Sequence, residues 1–236
     1  MYYGWRGKIG VIFPAPGAAP ELEFNKYRPD GVAIFTQRVL FEEVTPAGLE
    51  ALADRVIEAA KLLKWAEPDL LIFCCTTGSM IKGLGYDQEL IHRMEEATGI
   101  KSLTTTTAVV QALHALGSKR LVVSTPYSDT VNAAEKKFLE DSGFDVLNIR
   151  GLGYTDPKMM PRTTIDQMYR LNKEVMSEEA DTLFVSCTGL GIIDAVPMYE
   201  SDSGLLTVTS NQASIWAALR AIGIREDLGL GKLFKY

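Results

Sequence analysis

Leu70-Leu71-Ile72-Phe73-Cys74-Cys75-Thr76 and Thr182-Leu183-Phe184-Val185-Ser186-Cys187-Thr188 are two copies of one pattern. In each, a short apolar run ends in Cys-Thr and soon reaches a glycine. Such runs read as strands buried on both faces, the kind found in parallel sheets. Cys75 and Cys187 lie 112 positions apart in a chain of 236 residues, so the pattern recurs at about half the chain length. The repeat extends outward from the cysteines. Ile9-Gly10-Val11-Ile12-Phe13-Pro14 aligns with Leu121-Val122-Val123-Ser124-Thr125-Pro126 at the same offset. Thr105-Thr106-Thr107-Ala108 pairs with Asn211-Gln212-Ala213-Ser214, where the offset has drifted to 106.

Between the apolar runs lie amphipathic stretches, the alternation expected of βα units around a parallel sheet. Strands are expected at Ile9–Phe13, Leu70–Cys74, Ser102–Thr105, Leu121–Ser124, Leu183–Ser186 and Leu206–Thr209. Pro46–Lys64 reads as a helix because Leu49, Leu52, Val56, Ala59, Leu62 and Leu63 recur at helical spacing, with Thr45 as its N-cap. Further helices are expected at Gln88–Ala97, Ala108–Leu116, Asn132–Asp141, Thr164–Met176 and Ala213–Ile222. Gly99, Gly117, Gly143 and Gly223 follow four of them, as C-cap glycines do. The expected fold is α/β with two parallel-sheet halves related by a pseudo-twofold. Residues 1–116 form the half that carries Cys75 and residues 117–236 the half that carries Cys187. The last helix is a candidate to pack on the first half. Ligands of open α/β sheets bind beyond the carboxyl ends of strands. Cys75, Cys187, Pro14, Tyr127, Thr105 and Ser210 are all expected at such ends, facing a cleft between the halves.

Composition narrows the function classes. A net charge of −6 and a pI near 5.1 argue against a nucleic-acid partner held by phosphate contacts. Three cysteines in a chain of this length do not make a disulfide framework and fit a reducing cytoplasm. Met1–Lys8 lacks the apolar core of a signal peptide, and no apolar run is long enough to span a membrane. The expectation is a cytoplasmic protein with no membrane partner.

Cysteine is the sharpest chemical signal. One cysteine after an apolar run is ordinarily a small buried hydrophobe. Two at repeat-equivalent positions, each followed by Thr and Gly, point instead to paired thiols across a cleft. Cys74 aligns with Ser186 and, by strand alternation, points away from Cys75, which makes it packing. Metal binding is not expected, because there is no C-x-x-C and adjacent cysteines ill suit one tetrahedral zinc. His92 and His114, the only histidines, fall on helices far from the strand ends, so a Cys-His hydrolase has no base. A G-x-S-x-G elbow is absent. Gly78–Leu84 has P-loop spacing at its start but no Lys-Ser/Thr to grip phosphate. Hydroxyl groups near both cysteines suit a small carboxylate, which O–H and N–H donors can clamp. Pro14–Pro20 reads as an apolar loop at the cleft mouth, and Asp156–Arg162 as a prolyl loop whose methionines wall a pocket.

Together these residues resemble the aspartate/glutamate racemase superfamily, in the branch that holds maleate cis-trans isomerase and arylmalonate decarboxylase. The likeness rests on Gly4–Gly10, Val44-Thr45-Pro46, the Cys75 loop, Tyr127 with Asp129 and Asn132, and Ser186–Gly189 through Asp194-Ala195-Val196-Pro197. It implies two Rossmann-like halves, an active site in the cleft between them and no cofactor. Dimers are common in that family, so a homodimer is among the implied partners. The resemblance makes Cys75 and Cys187 the paired acid/base thiols. It assigns the hydroxyls of Thr76, Thr77 and Tyr127, with the backbone N–H groups of Thr188 and Gly189, to a substrate carboxylate. The decarboxylase has glycine where Cys75 stands, so this chain departs from it toward the two-thiol enzymes. Maleate isomerase has asparagines where this chain has Pro14 and Pro157, which removes donors for a second carboxylate. Phe41, Leu49 and Met160 fall where the decarboxylase has its apolar pocket.

The function expected is a cofactor-independent isomerase or racemase of a small carboxylic acid. In one version a thiolate takes an α-proton and the opposite thiol returns one. In the other, Cys75 adds to an activated alkene, the bond rotates and Cys187 handles the proton. The alternatives are an arylmalonate-type decarboxylase with Cys187 as proton donor, and a non-catalytic small-acid binder with two similar lobes.

Overall fold

The structure, a computed structural model, describes residues 2–41 and 51–236 in full and the backbone alone of 46–50. The expected Thr45 cap and the Leu49 side chain lie outside the described residues. Two four-stranded parallel sheets carry the fold. In the first, β1 (Gly7–Pro14), β2 (Val32–Val39), β3 (Leu70–Phe73) and β4 (Ser102–Thr104) lie in the order β2-β1-β3-β4. In the second, β5 (Arg120–Tyr127), β6 (Asp145–Tyr154), β7 (Thr182–Val185) and β8 (Leu206–Thr209) repeat that order as β6-β5-β7-β8.

Register makes the duplication quantitative. Ile9 pairs with Leu70 and Ile12 with Phe73, while Leu121 pairs with Thr182 and Ser124 with Val185. Each second-half pair is the first-half pair shifted by 112, the offset of the cysteines. At the outer strand the expectation was one residue off. Phe73 pairs with Thr104 and Val185 with Thr209, an offset of 105, so Thr105 corresponds to Ser210 rather than to Asn211. The cause is local. The second-half helix ends one residue further before its glycine, and aligning on Gly117 and Gly223 carries that insertion backward.

Nine helices are described: α1 (Ala19–Tyr27), α2 (Pro46–Lys64), α3 (Thr76–Met80), α4 (Tyr86–Thr98), α5 (Thr105–Leu116), α6 (Asp129–Asp141), α7 (Ile165–Val175), α8 (Val196–Ser203) and α9 (Ser210–Ala221). Along α2, Leu52, Val56, Ala59 and Leu63 are buried, but Leu62 points to solvent. Gly10 lets α2 approach β1 closely, since a Cβ there would meet Leu71 at 2.6 Å and Leu63 at 3.3 Å. The expected α7 has a full capping box, with Thr164 accepting from Gln167 N–H and the Gln167 side chain accepting in return. Three helices were not expected. α1 begins inside the stretch read as a loop, because Pro20 falls in its first turn, where its missing N–H costs nothing. α3 and α8 are too short to show periodicity.

A single apolar core crosses from one half to the other. It joins Ile9, Val11 and Ile72 to Val123, Phe184 and Val208 through α5 and α9. Each fully buried side chain of this size contributes about 1.5–3 kcal/mol. α9 packs on α5 and reaches β3 of the first sheet. Separate outer clusters lie under α2 and α4 in one half and beside α7 in the other. In each sheet the chain order reverses between the two inner strands, β1 with β3 and β5 with β7. Such reversal points are where ligands enter α/β sheets.

Candidate active site

A cleft of about 930 Å³ opens at both reversal points together. Its wall includes Pro14 at the end of β1, Cys75 after β3, Tyr127 at the end of β5 and Cys187 after β7. Thr76, Thr77, Thr188 and Gly189 line it as well, whereas Thr105 and Ser210, also expected to face the cleft, are fully buried and do not line it.

The two thiols are held by related but unequal devices. Cys75 is the N-cap of α3, and its Sγ accepts from Gly78 N–H at 3.3 Å with Thr77 Oγ1 3.8 Å away. Position 78 must be glycine for this approach, since a Cβ there would lie 2.8 Å from the sulfur. Cys187 Sγ accepts from Gly189 N–H at 3.2 Å, lies 3.7 Å from Met160 Sδ and has the Tyr127 hydroxyl as a neighbour that lowers its pKa. The Cys187 backbone has φ of +115°, a left-handed conformation costly for a side-chain-bearing residue. Cys75, at φ −155°, is ordinary extended backbone. Burial dominates the protonation of both. It pushes Cys75 up to about 11, against the lowering by Gly78 N–H and Thr77. It pushes Cys187 up to about 12, against the lowering by Tyr127 and Gly189 N–H, with a charge on Cys75 raising it further. Both thiols are therefore neutral at neutral pH, and they are close enough to sense each other. Cys74 is fully buried in the core.

The hydroxyls divide into two groups. Thr77 and Tyr127 face the thiols, whereas Thr76 Oγ1 donates to Ser210 Oγ at 3.0 Å and Thr188 Oγ1 donates to the Cys74 carbonyl at 3.2 Å. Much of the remaining lining is apolar, with Lys82, Ser128, Thr130, Tyr154 and Thr155 as its polar members. Pro14, Pro16, Pro20 and Phe41 line the cleft from the first half of the chain, and Pro157, Met160 and Pro161 from the second. Arg38 fixes the loop after Pro14, donating to the carbonyls of Ala15 and Gly17 at 2.7 Å each and pairing with Glu21. Lys82 is the one charged side chain among the described lining residues, and its ammonium lies 4.6 Å from the Tyr86 ring centroid.

His92 is exposed and pairs with Glu96, and His114 stacks on Phe144, so neither reaches the cleft. Among the described residues no group of three His, Cys, Asp or Glu is placed to hold a metal ion. No described helix is long and apolar enough to cross a membrane. The α6 face, where Thr130, Val131 and Ala134 line the cleft, is a part of the site not expected from the strand ends. Their spacing along the helix was the available signal.

Behind Cys187 lies a buried carboxyl. Ser186 donates to Glu135 Oε1 at 2.5 Å, and Glu135 Oε2 is buried with no partner among the described residues. Burial pushes Glu135 up to about 7, opposed by the Ser186 hydrogen bond. A carboxyl raised in the folded state binds its proton more tightly than in the unfolded chain. Its contribution is complete below about 4.5 and is lost as pH rises to about 7. Stability should thus fall by roughly 3 kcal/mol over that interval on account of Glu135. Glu135→Gln should flatten the slope; urea midpoints between pH 4.5 and 7.5 measure it, and an unchanged slope refutes the assignment.

Comparison with known proteins bears on this geometry. The family model described as arylmalonate decarboxylase matches residues 9–234. The chain belongs to the arylmalonate decarboxylase family. Arylmalonate decarboxylase of Bordetella bronchiseptica is 30% identical over 232 residues, covering 96% of this chain and 95% of that protein. Maleate isomerase of Pseudomonas putida is 25% identical, covering 92% of each. Among solved structures, a liganded arylmalonate decarboxylase carrying a Gly-to-Cys and a Cys-to-Ser replacement superposes with a TM-score of 0.84 at 30% identity, covering 92% of this chain and 93% of that one. The maleate cis-trans isomerase of Nocardia farcinica, in a Cys-to-Ser form with a covalently bound succinylcysteine intermediate, has the same fold, with a TM-score of 0.91 at 20% identity over 97% of this chain and 98% of that one. The protein is an enzyme of the aspartate/glutamate racemase superfamily, in the branch that holds both activities, and its fold is the paired α/β architecture of that branch.

Proposed function

We propose that the enzyme is a cofactor-independent isomerase or racemase that moves an α-proton of a small carboxylic acid between Cys75 and Cys187. The observation that carries the reading is two buried thiols at mirrored strand ends of one mainly apolar cleft. The substrate carboxylate would accept hydrogen bonds from Thr77, Tyr127 and the backbone N–H of Thr188, with the Gly189 N–H turning to it from Cys187 Sγ when substrate binds. These neutral donors stabilise the enediolate-like charge that forms when the α-proton leaves. The reactive form of the enzyme is the one in which one of the two thiols, protonated in the resting site, has lost its proton to solvent, and that thiolate takes the α-proton. The opposite thiol then donates its own proton to the other face of the planar carbon, becoming the thiolate in turn. Bonds and charge balance, and no co-reactant is needed.

The walls favour a substrate with one clamped carboxylate and an apolar remainder. Pro14 and Pro157 line the cleft, no side-chain amide is among the described lining residues, and the one lining cation, Lys82, lies 4.6 Å from the Tyr86 ring centroid, an arrangement that disfavours maleate. A second reading is decarboxylation of an arylmalonate with Cys187 as sole proton donor. It is supported by the neutral state of the Cys187 thiol, which suits a donor, and by the 30% identity to the Bordetella decarboxylase.

Incubation with 2-phenylpropionate, phenylmalonate and maleate in deuterated water tests these readings together. The expected result is α-deuterium incorporation with loss of optical purity in 2-phenylpropionate. Carbon dioxide from phenylmalonate without exchange in 2-phenylpropionate establishes the decarboxylase instead, and fumarate from maleate establishes cis-trans isomerisation. Inertness toward all three refutes the proposal.

A further inference from the structure

We infer that Ser210 is a positioning residue that sets the two thiol loops against each other through a single oxygen atom. Ser210 is the first residue of α9 and is fully buried. Its Oγ accepts the backbone N–H of Cys187 at 3.0 Å and the hydroxyl of Thr76, the residue after Cys75, also at 3.0 Å. One atom therefore ties the second thiol's own backbone to the loop of the first.

That atom is held rigidly. Thr209 caps α9 with a complete capping box, accepting from Gln212 N–H at 3.1 Å while Gln212 Oε1 accepts from Thr209 N–H at 3.0 Å. The Ser210 carbonyl accepts from Ser214 Oγ at 2.8 Å, and Gln212 Nε2 is anchored on the Leu230 carbonyl at 2.6 Å. Thr105, which occupies the corresponding position in the first half, does not share the role. Its hydroxyl lies 2.9 Å from Ser214 Oγ, beside Cys74, the packing cysteine, rather than on a thiol loop. The duplication is thus broken at this atom.

Backbone geometry breaks in the same place. Cys187 has φ of +115°, while Cys75 is unstrained, and the Ser210 bond is made to the amide of the strained residue. A conformation of that kind costs of order 1–3 kcal/mol and persists where the surroundings over-determine it. The Gly189 N–H bond fixes the sulfur end and the Ser210 bond fixes the amide end. Two thiols that must address opposite faces of one carbon need this alignment, because a misplacement near 1 Å can cost about 10²-fold in rate. The catalytic consequence rests on the two-thiol reading; the effect on thiol placement does not.

The test compares Ser210→Ala with the unaltered enzyme in two assays. The first is racemisation of 2-phenylpropionate. The second is the alkylation rate of Cys75 and Cys187 by iodoacetamide, each followed by peptide mass. Ser210→Ala is expected to lower kcat by roughly 10–100-fold with KM within about threefold, and to change the alkylation rate of both cysteines by at least about threefold, because both loops lose their common anchor. Thr76→Val removes only the Cys75 side of the link, so it should change Cys75 alkylation and leave Cys187 alone. It also supplies the test if Ser210→Ala does not fold. Ser210→Thr, which restores a hydroxyl, should recover the alkylation rates. Unchanged alkylation rates in Ser210→Ala overturn the inference, as does a rise in KM without loss of kcat. An unaltered enzyme inert toward 2-phenylpropionate refutes the functional reading alone, and the alkylation arm still decides the role of Ser210.

Discussion

Cys75→Ala and Cys187→Ala are each expected to lower turnover by roughly 10³–10⁴-fold, the upper part of the range for removing a general acid or base. The two losses should be similar because each direction of a two-thiol reaction needs one sulfur as base and the other as acid. Neither replacement should unfold the protein. Cys75 and Cys187 are small buried groups with one N–H contact each from Gly78 and Gly189, and alanine keeps most of their volume. Chiral chromatography of the recovered acid, with circular dichroism as a fold control, measures the effect. Full activity in Cys75→Ala sinks the two-thiol mechanism. Carbon dioxide release from phenylmalonate that survives Cys75→Gly, with racemisation absent in both proteins, transfers the function to decarboxylation.

Gly151→Ala should be the most damaging single substitution outside the thiols. Gly151 lies on β6 opposite Thr125, where the pairing of β5 and β6 shifts register before Tyr127 meets Tyr154. A Cβ at position 151 would sit 2.1 Å from the Tyr127 carbonyl oxygen, 2.7 Å from Asn132 Nδ2 and 2.9 Å from Thr125 Oγ1. None of these can yield cheaply. Thr125 donates to Asn132 Oδ1 at 2.6 Å and accepts from Tyr127 N–H at 3.0 Å, so the three groups form one buried knot. The expected cost is about 3 kcal/mol or more. Turnover should fall with it, because the knot holds the strand end that aims Tyr127 at Cys187. Gly153→Ala is the control. Its φ is +75° with nothing near the new methyl, so it should cost only about 1 kcal/mol and spare activity. Equal urea midpoints for the two variants would refute the close approach.

The inner strands and the longer helices were legible because burial writes itself into sequence. β1, β3, β5 and β7 lie inside the sheets, so their apolar runs are continuous. The edge strands β2 and β6 were not expected. They are only half buried and carry Gln37, Arg38, Asn148 and Arg150, so their composition follows solvent on one side rather than a core. Leu62 shows the converse, an apolar residue at near-helical spacing that the structure leaves exposed. The site was legible where it repeats: the shared offset linked Cys75 to Cys187, and the strand-end rule brought in Pro14 and Tyr127. Hydrogen bonds that close between distant segments left no local trace. Glu135 meets Ser186, and Thr76 meets Ser210, across 51 and 134 positions.

The sequence by itself determined a duplicated α/β chain with one cysteine at each matching strand end, because strand periodicity and the 112-residue offset are properties of the order of residues. Only the tertiary structure decided how unequal the two copies are. Packing of α9 against α5 brings Ser210 to both thiol loops and leaves Thr105 beside Cys74. Cys187 takes a positive φ while Cys75 stays in extended backbone. The separate clusters of the two halves bury the two sulfurs, which raises the pKa of both. These differences arise from contacts between residues far apart in the chain, where desolvation and hydrogen-bond geometry outweigh any local preference.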